Sequence, residues 1–90
     1  MMQVLSVVKA GQITSSGTTV VTFSDVPARL IVFQAATTNT GLVTITEPSG
    51  SAGFTLSAGE STPTFWCDNL SKFAYITATS GDKINYIVNR

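Results

Sequence analysis

Residues 72–89 read KFAYITATSGDKINYIVN, and this stretch decides the fold class. Two runs rich in Tyr, Ile and Thr flank Ser80-Gly81-Asp82, a combination typical of antiparallel strands joined by a tight turn. No part of the chain shows the periodicity of an amphipathic helix, and Leu, Glu, Lys and Arg are too scarce to build one. The stretch therefore predicts a β-hairpin within an all-β protein.

The same pattern extends outward from the hairpin toward both ends of the chain. Short apolar runs alternate with clusters of Gly, Asn, Asp, Ser and Pro, which predicts one all-β domain over residues 1–90: a single-domain antiparallel β-sandwich, jelly-roll-like, with about eight short strands. Pro63 favours an edge position or a bulge in the sixth strand. The Gly-, Ser- and Thr-rich stretch Ala10–Gly17 is the nearest to a mobile segment. The predicted strands are Gln3–Lys9, Thr18–Ser24, Arg29–Ala36, Leu42–Thr46, Phe54–Ser57, Thr62–Asp68, Lys72–Thr79 and Lys83–Asn89.

A domain of 90 residues has little stability to spare, and small domains usually add disulfides, metals or oligomerisation. One cysteine, Cys67, excludes an internal disulfide; it is interpreted as a small buried hydrophobe, with an intermolecular bridge or a reactive thiol as alternatives. The chain has no histidine, the residue on which most transition-metal sites and Ser-His-Asp or Cys-His mechanisms depend. Oligomerisation is the remaining route, so we expect a homo-oligomer.

Charge is sparse and balanced, with five basic and five acidic residues and a formal net charge of +0. Binding to nucleic acid requires clustered Lys and Arg, so we expect no nucleic-acid partner. No run approaches the roughly 18–20 apolar residues of a membrane span, so we expect no membrane partner. Burying a surface with few charges costs little desolvation, which favours contact between proteins. The basic residues are scattered at Lys9, Arg29, Lys72, Lys83 and Arg90.

The polar residues form no catalytic or cofactor constellation, so we expect a protein that is not an enzyme and needs no cofactor or metal. The carboxylates that could pair for acid–base work each lie at a turn or strand end, where turn formation is the ordinary explanation. Asp68-Asn69 and Asp82 could ligate calcium, but the chain has no spaced acidic loop of the EF-hand type. Aromatic side chains could stack on sugars or be ordinary sheet residues. The carboxylates are Glu47, Glu60, Asp68 and Asp82, and the aromatics are Trp66, Tyr75 and Tyr86.

Two strands carry information about partners because they are apolar on both faces. Leu30-Ile31-Val32-Phe33 is one, and Val4–Val8 nearly so; either a loop or bulge, or a neighbouring subunit, would cover the outer side chains. Met1–Lys9 is a candidate interface or exchanged strand, since terminal strands join the sheet edges of other chains. Trp66 points outward if Phe65 and Cys67 face inward, and otherwise lies in the core. The candidate interface residues are Val4, Leu5, Val7, Leu30, Ile31, Phe33 and Trp66.

About two thirds of the chain resembles a known group of proteins. Residues 29–45 read RLIVFQAATTNTGLVTI, residues 53–61 GFTLSAGES and residues 68–87 DNLSKFAYITATSGDKINYI. An Asn-rich turn, a Val-x-Ile strand, a Gly-x-x-Leu-x-x-Gly-Glu-Ser turn and a closing hairpin with Tyr-x-x-Ala resemble the small β-sandwich structural proteins of tailed bacteriophages. The matching positions are Gly53, Leu56, Gly59, Glu60, Ser61, Tyr75, Ala78 and Gly81.

The resemblance implies a virion protein, made in the host cytoplasm and carried on the capsid surface. The expected function is that of a capsid decoration (cement) protein, commonly a homotrimer, which binds the major capsid protein or another virion protein and stabilises the assembled head. The alternatives are a small tail, baseplate or fibre component that recognises a host carbohydrate, and a phage-encoded intracellular regulator. The matching positions are turn and core residues, so the resemblance carries over no functional residue.

Overall fold

The computed structural model describes residues 7–50 and 53–90, and in those ranges the chain forms eight β-strands and one short 3-10 helix, Leu70–Lys72. The all-β class predicted from the sequence is confirmed. Within the same two ranges, no helix has the length and apolar composition needed to cross a membrane. The strands are β1 (Val7–Thr14), β2 (Val21–Thr22), β3 (Leu30–Ala35), β4 (Val43–Thr46), β5 (Gly53–Leu56), β6 (Phe65–Trp66), β7 (Ala74–Thr77) and β8 (Lys83–Asn89).

The strands form two four-stranded antiparallel sheets. Sheet I has the order β1-β8-β3-β6, and sheet II has the order β2-β7-β4-β5. Consecutive strands therefore fall mostly in opposite sheets, and β8 lies between β1 and β3. This is the strand order of an eight-stranded jelly roll, in which two Greek keys wrap around one core. The predicted jelly-roll-like sandwich is thus observed in the described residues. The predicted β-hairpin of residues 72–89 is wrong: β7 pairs with β2 and β4 in sheet II, whereas β8 pairs with β1 and β3 in sheet I.

The first strand differs from its prediction. It spans Val7–Thr14 instead of Gln3–Lys9, so most of the Ala10–Gly17 segment expected to be mobile pairs with β8. The reason lies in β8, where the ring of Tyr86 fills the space beside Gly11. Tertiary pairing overrides the low strand propensity of this segment.

The sixth strand is shorter than its prediction because of Pro63. Ahead of it, Thr62 makes two bonds to Phe33: its backbone N–H donates to the carbonyl oxygen at 2.9 Å, and its hydroxyl accepts from the N–H at 3.1 Å. Since proline has no N–H, regular pairing to β3 stops here and resumes only at Phe65. The strand lies at the edge of sheet I, so the edge position expected from Pro63 is confirmed.

Aromatic side chains join the two sheets. The ring of Phe23, just after β2, lies 4.9 Å from Phe33 in sheet I and 5.0 Å from Tyr75 in sheet II, between ring centroids. These separations lie within the range of favourable aromatic contacts. Seven of the eight aromatic residues belong to this connected cluster: Phe23, Phe33, Phe54, Phe65, Phe73, Tyr75 and Tyr86.

Two polar side chains fix the connection between β3 and β4 to the β7–β8 turn. The Asn39 amide donates to the Lys83 carbonyl at 2.8 Å and accepts from the Lys83 N–H at 2.7 Å. The buried Asp82 carboxylate accepts from the N–H of Gly41 at 2.8 Å and of Thr40 at 3.1 Å. These bonds satisfy backbone groups that strand pairing leaves free, so the loop has a defined position.

We predict that Gly11→Ala lowers the free energy of unfolding by about 1–3 kcal/mol, because overpacking forces a well-packed core to shift. The added methyl group would lie 2.6 Å from the hydroxyl oxygen of the buried Tyr86. Gly17→Ala is the matched control: its methyl group meets nothing within 4 Å and should change stability by about 0.5 kcal/mol or less. Urea denaturation of both variants measures the difference, and equal midpoints would contradict the close packing at Gly11.

Candidate functional site

The outer face of sheet I is defined by the strand register, because paired residues on antiparallel neighbours point to the same side of a sheet. Ile31 and Phe33 of β3 are fully buried between the sheets, so Leu30 and Val32 face outward. Ile87 of β8 pairs with Val32 and therefore shares that outer face.

Four apolar side chains on this face form what we call the outer patch: Leu30, Val32, Trp66 and Ile87. Leu30 pairs with Trp66, and Val32 with Ile87. Leu30 and Val32 are half-buried, whereas Ile87 is 42% exposed and Trp66 is 77% exposed. A contiguous apolar area on a surface marks an interaction site more often than scattered apolar residues do.

Trp66 is the one aromatic residue outside the core cluster. Its neighbours Phe65 and Cys67 pack against the core, so the indole points away from it. This settles the two orientations that the sequence leaves open. The exposed indole is the most water-accessible of the large hydrophobic side chains in the described residues.

A row of amides borders the outer patch. The Gln12 amide nitrogen donates to the Asn85 side-chain oxygen at 2.8 Å, and the Asn85 amide nitrogen donates to the Gln34 side-chain oxygen at 3.5 Å. The three residues occupy one cross-strand row of β1, β8 and β3. This neutral row presents both donors and acceptors beside the apolar side chains.

Two open depressions interrupt the surface of sheet I. The central depression, of about 180 Å³, is lined by Val32, Phe33, Gln34, Ser61, Asn85, Tyr86 and Ile87. It lies where the segment before Pro63 leaves β3. The end cleft, of about 280 Å³, lies where the chain enters β3 and leaves β6. It is lined by Ala28, Arg29, Trp66, Cys67 and Asp68.

The structure corrects part of the predicted interface. Ile31 and Phe33 are each 0% exposed and belong to the core, so they contact no partner while the fold is intact. They were included because the Leu30–Phe33 run is apolar throughout, but alternation along a strand sends every second side chain inward. Leu30 and Trp66 lie together on the outer face.

The predicted interface residues near the N-terminus are Val4, Leu5 and Val7. Val4 and Leu5 lie outside the described residues. Val7 begins β1, where its backbone pairs with Asn89 of the same chain, and exchange of Met1–Lys9 between chains stays a prediction.

Two residues of the outer patch, Val32 and Ile87, were not among the predicted site residues. A signal for Ile87 exists in the sequence: Ile84, Tyr86 and Val88 alternate inward along β8, which places an apolar residue at a position expected to be polar. The same reasoning applied to Leu30-Ile31-Val32-Phe33 would have selected Leu30 with Val32.

Three of the four candidate carboxylates serve turns, and the fourth, Asp68, lines the end cleft. Glu60 accepts from the N–H of Ser57 at 2.6 Å, Glu47 from the N–H of Ser49 at 3.2 Å, and Asp82 joins two loops as described above. No three His, Cys, Asp or Glu side chains within residues 7–50 and 53–90 come together as metal ligands would. Burial raises the pKa of the Tyr75 hydroxyl above 10.0, so this group stays neutral near pH 7.

Fold and surface together define a small jelly-roll domain with an apolar patch on the outer face of sheet I. No protein-family model, curated protein or solved structure matches the chain. The outer face of sheet I is therefore interpreted from its own chemistry.

We predict that replacing isoleucine by alanine lowers the free energy of unfolding much more on the inner face of sheet I than on its outer face. Ile31→Ala leaves a cavity in the core and should lower the free energy of unfolding by about 2–5 kcal/mol. Ile87→Ala removes a partly exposed side chain and should cost about 1 kcal/mol or less. Thermal or urea denaturation of both variants checks the assignment of faces, and similar losses of stability would contradict it.

Proposed function

We propose that this chain is a structural protein of a bacteriophage virion, and that it decorates the assembled head through protein–protein contacts. It acts as a homo-oligomer on the capsid surface and binds the major capsid protein or another virion protein. It carries out no reaction and uses no cofactor, nucleic acid or membrane.

The observation that carries this proposal is the outer patch on sheet I. A jelly roll in water needs apolar residues on the inner faces of its sheets only. Here Ile87 and Trp66 remain on the outer face, and the half-buried Leu30 and Val32 lie between them. Burying apolar surface is favourable by about 25 cal/mol per Å², before the costs of association are subtracted.

The charge distribution supports a protein partner. The strands β3 and β6, which contribute three of the four outer-patch residues, contain no charged residue. On β8 the one charged residue is Lys83, at the far end from Asn89. A protein surface could therefore cover Leu30, Val32 and Ile87 without desolvating an ion, while Arg29 and Asp68 stay beside Trp66 at the end cleft.

The residues that resemble phage structural proteins have structural roles in the fold. Gly59 has φ +83° and Gly81 has φ +94°, a conformation that favours glycine. Glu60 closes the turn that follows β5, and Leu56 and Tyr75 are buried. These turn and core roles support a scaffold shared with the small phage structural proteins. None of these positions lies on the outer patch, so the proposed contact with a partner does not depend on them.

The mechanism that follows is mechanical. A decoration protein is repeated many times on a shell, so weak contacts act together and dissociation of the array requires several to break at once. Each copy that bridges two capsomers would resist their separation under internal pressure.

Sedimentation with empty heads that lack the protein tests this proposal. The wild-type protein should pellet with the heads, and Ile87→Lys should bind at least about tenfold more weakly, since it places a charge within the apolar contact. Leu42→Lys is the matched control, because Leu42 is 50% exposed but lies outside the outer patch, next to β4.

Thermal denaturation of both lysine variants must show that they are folded before their binding is compared. Wild-type protein that stays in the supernatant would overturn the decoration function. Equal losses of binding by the two variants would remove the outer patch from the contact.

The end cleft favours a second candidate function, that of a tail, baseplate or fibre component that recognises a host carbohydrate. Trp66 offers an apolar surface for stacking, and the Arg29 and Asp68 side chains make no hydrogen bond or ion pair to other described residues. The cleft walls are fixed by backbone bonds, from the Ala28 N–H to Asp68 at 2.8 Å and from the Cys67 N–H to Arg29 at 3.0 Å. An aromatic face beside free polar groups suits a sugar ring.

The second candidate predicts that neutral monosaccharides change the fluorescence of Trp66, the one tryptophan of the chain. Asp68→Asn should weaken this response because the carboxylate would accept sugar hydroxyls. Glu60→Gln is the control and should leave the response unchanged, because Glu60 is exposed and its carbonyl accepts from the Ala35 N–H, at the opposite end of β3 from the end cleft. A titration series with hexoses and amino sugars makes the measurement. An unchanged emission throughout the series would exclude these ligands.

A further inference from the structure

We propose that the Trp66 indole of one copy inserts into the central depression of a second copy of this chain. The inference rests on the proposed function, in which copies contact one another, and it names the contact.

The projecting part is Trp66. It is 77% exposed and contacts no other aromatic ring among the described residues, although the other seven aromatic residues form one connected cluster. It is held on a paired strand, opposite Leu30, so its backbone position is fixed before any partner binds. Tryptophan is among the residues that contribute most at protein interfaces, where it occupies a pocket on the partner.

The receiving part is the central depression, of about 180 Å³. A cavity of about 150 Å³ lined by apolar side chains is large enough to take up benzene, so the depression can hold most of an indole ring. Val32 and Ile87 supply apolar walls. At the rim, the Ser61 hydroxyl makes no side-chain hydrogen bond to other described residues, and it can accept the indole N–H.

The two parts lie on the same face of sheet I. Trp66 pairs with Leu30, and Val32 is two residues farther along β3, which is about 7 Å. When a projection and a depression share one face, a two-fold axis in the plane of contact places each projection in the depression of the other copy. The contact is then made twice, as in an isologous dimer.

Charge and hydrogen bonding permit this pairing of like surfaces. The chain has a formal net charge of +0, so two copies do not repel each other through net charge. The row Gln12–Asn85–Gln34 offers both donors and acceptors, so it can meet its own copy across the axis. Lys83 lies at one end of β8, outside the outer patch.

The available area indicates a weak complex in solution. The four strands of sheet I have eight, seven, six and two residues. At about 3.4 Å per residue and about 4.8 Å between strands, they present a face of roughly 380 Å² per copy, or about 750 Å² for the pair. Stable interfaces bury about 1,200–2,000 Å² in total, so this contact is of the transient class. On a shell, many such contacts between copies would act together, and the array would be stable although each contact is weak.

The test uses the fluorescence of Trp66 and the mass of the full chain, between about 1 µM and 1 mM. Wild-type emission should shift to the blue as concentration rises, because the indole leaves water. Sedimentation equilibrium should show the mass rising from 9.5 kDa to twice that value. Three times that value would also support the contact, with projections and depressions arranged head to tail in a closed ring.

Two variants separate the projection from the depression. Trp66→Ala removes the projection, and Ile87→Lys blocks the depression; each should reduce self-association at least about tenfold, whereas Leu42→Lys should not. Trp66→Ala contains no tryptophan, so a mixture of the two variants reports only the indole of Ile87→Lys. Adding Trp66→Ala should shift that emission to the blue, because its intact depression accepts the remaining indole.

Wild-type protein that stays at 9.5 kDa with constant emission up to about 1 mM overturns the inference. The proposed function survives that result if the protein still pellets with heads, since the outer patch then binds the shell directly. Self-association without binding to heads supports the contact and overturns the decoration function. An emission shift caused by free sugar but not by protein concentration overturns the contact in favour of the second candidate.

Discussion

The structure depends on the contact of Phe23 with both sheets. This ring lies 4.9 Å from Phe33 in sheet I and 5.0 Å from Tyr75 in sheet II, and it belongs to a cluster that also includes Phe65 and Phe73. In a chain with a single cysteine and no histidine, such packing has to supply most of the cohesion. Because seven of the eight aromatic residues take part in this packing, the exposed Trp66 is the exception.

The fold could be predicted from the sequence because its signals are local. Pro63 interrupts an edge strand as expected, and Ser80-Gly81-Asp82 lies in the turn between two strands as expected. The predicted β-hairpin is wrong, however, because the turn carries the chain from β7 in sheet II to β8 in sheet I, and local sequence does not show which strands will pair. The start of the chain could not be predicted in the same way. The strand at Val7–Thr14 contains Gly11, a weak strand residue by itself, and it is stabilised by the distant Tyr86. A pairing across that separation leaves little trace in local propensity.

The candidate site could be predicted only in part, for a related reason. An apolar run such as Leu30–Phe33 shows that both faces of β3 are apolar, but the run alone does not show which residues face outward. The orientation is set by pairing with β8 and β6, which places Leu30 and Val32 outside and Ile31 inside. The central depression depends on the path of residues 59–67 beside β3, which is a property of the folded chain.

The edges of sheet I have a consequence for how the protein behaves at high concentration. At one edge β6 is two residues long and follows Pro63; at the other, the register of β1 shifts between Val7 and Lys9, and Lys9 adds a charge. Short, irregular or charged edges hinder the addition of further strands, which is the step that makes fibrils. High protein concentration should therefore not lead to fibrils that grow by adding strands to the edges of sheet I.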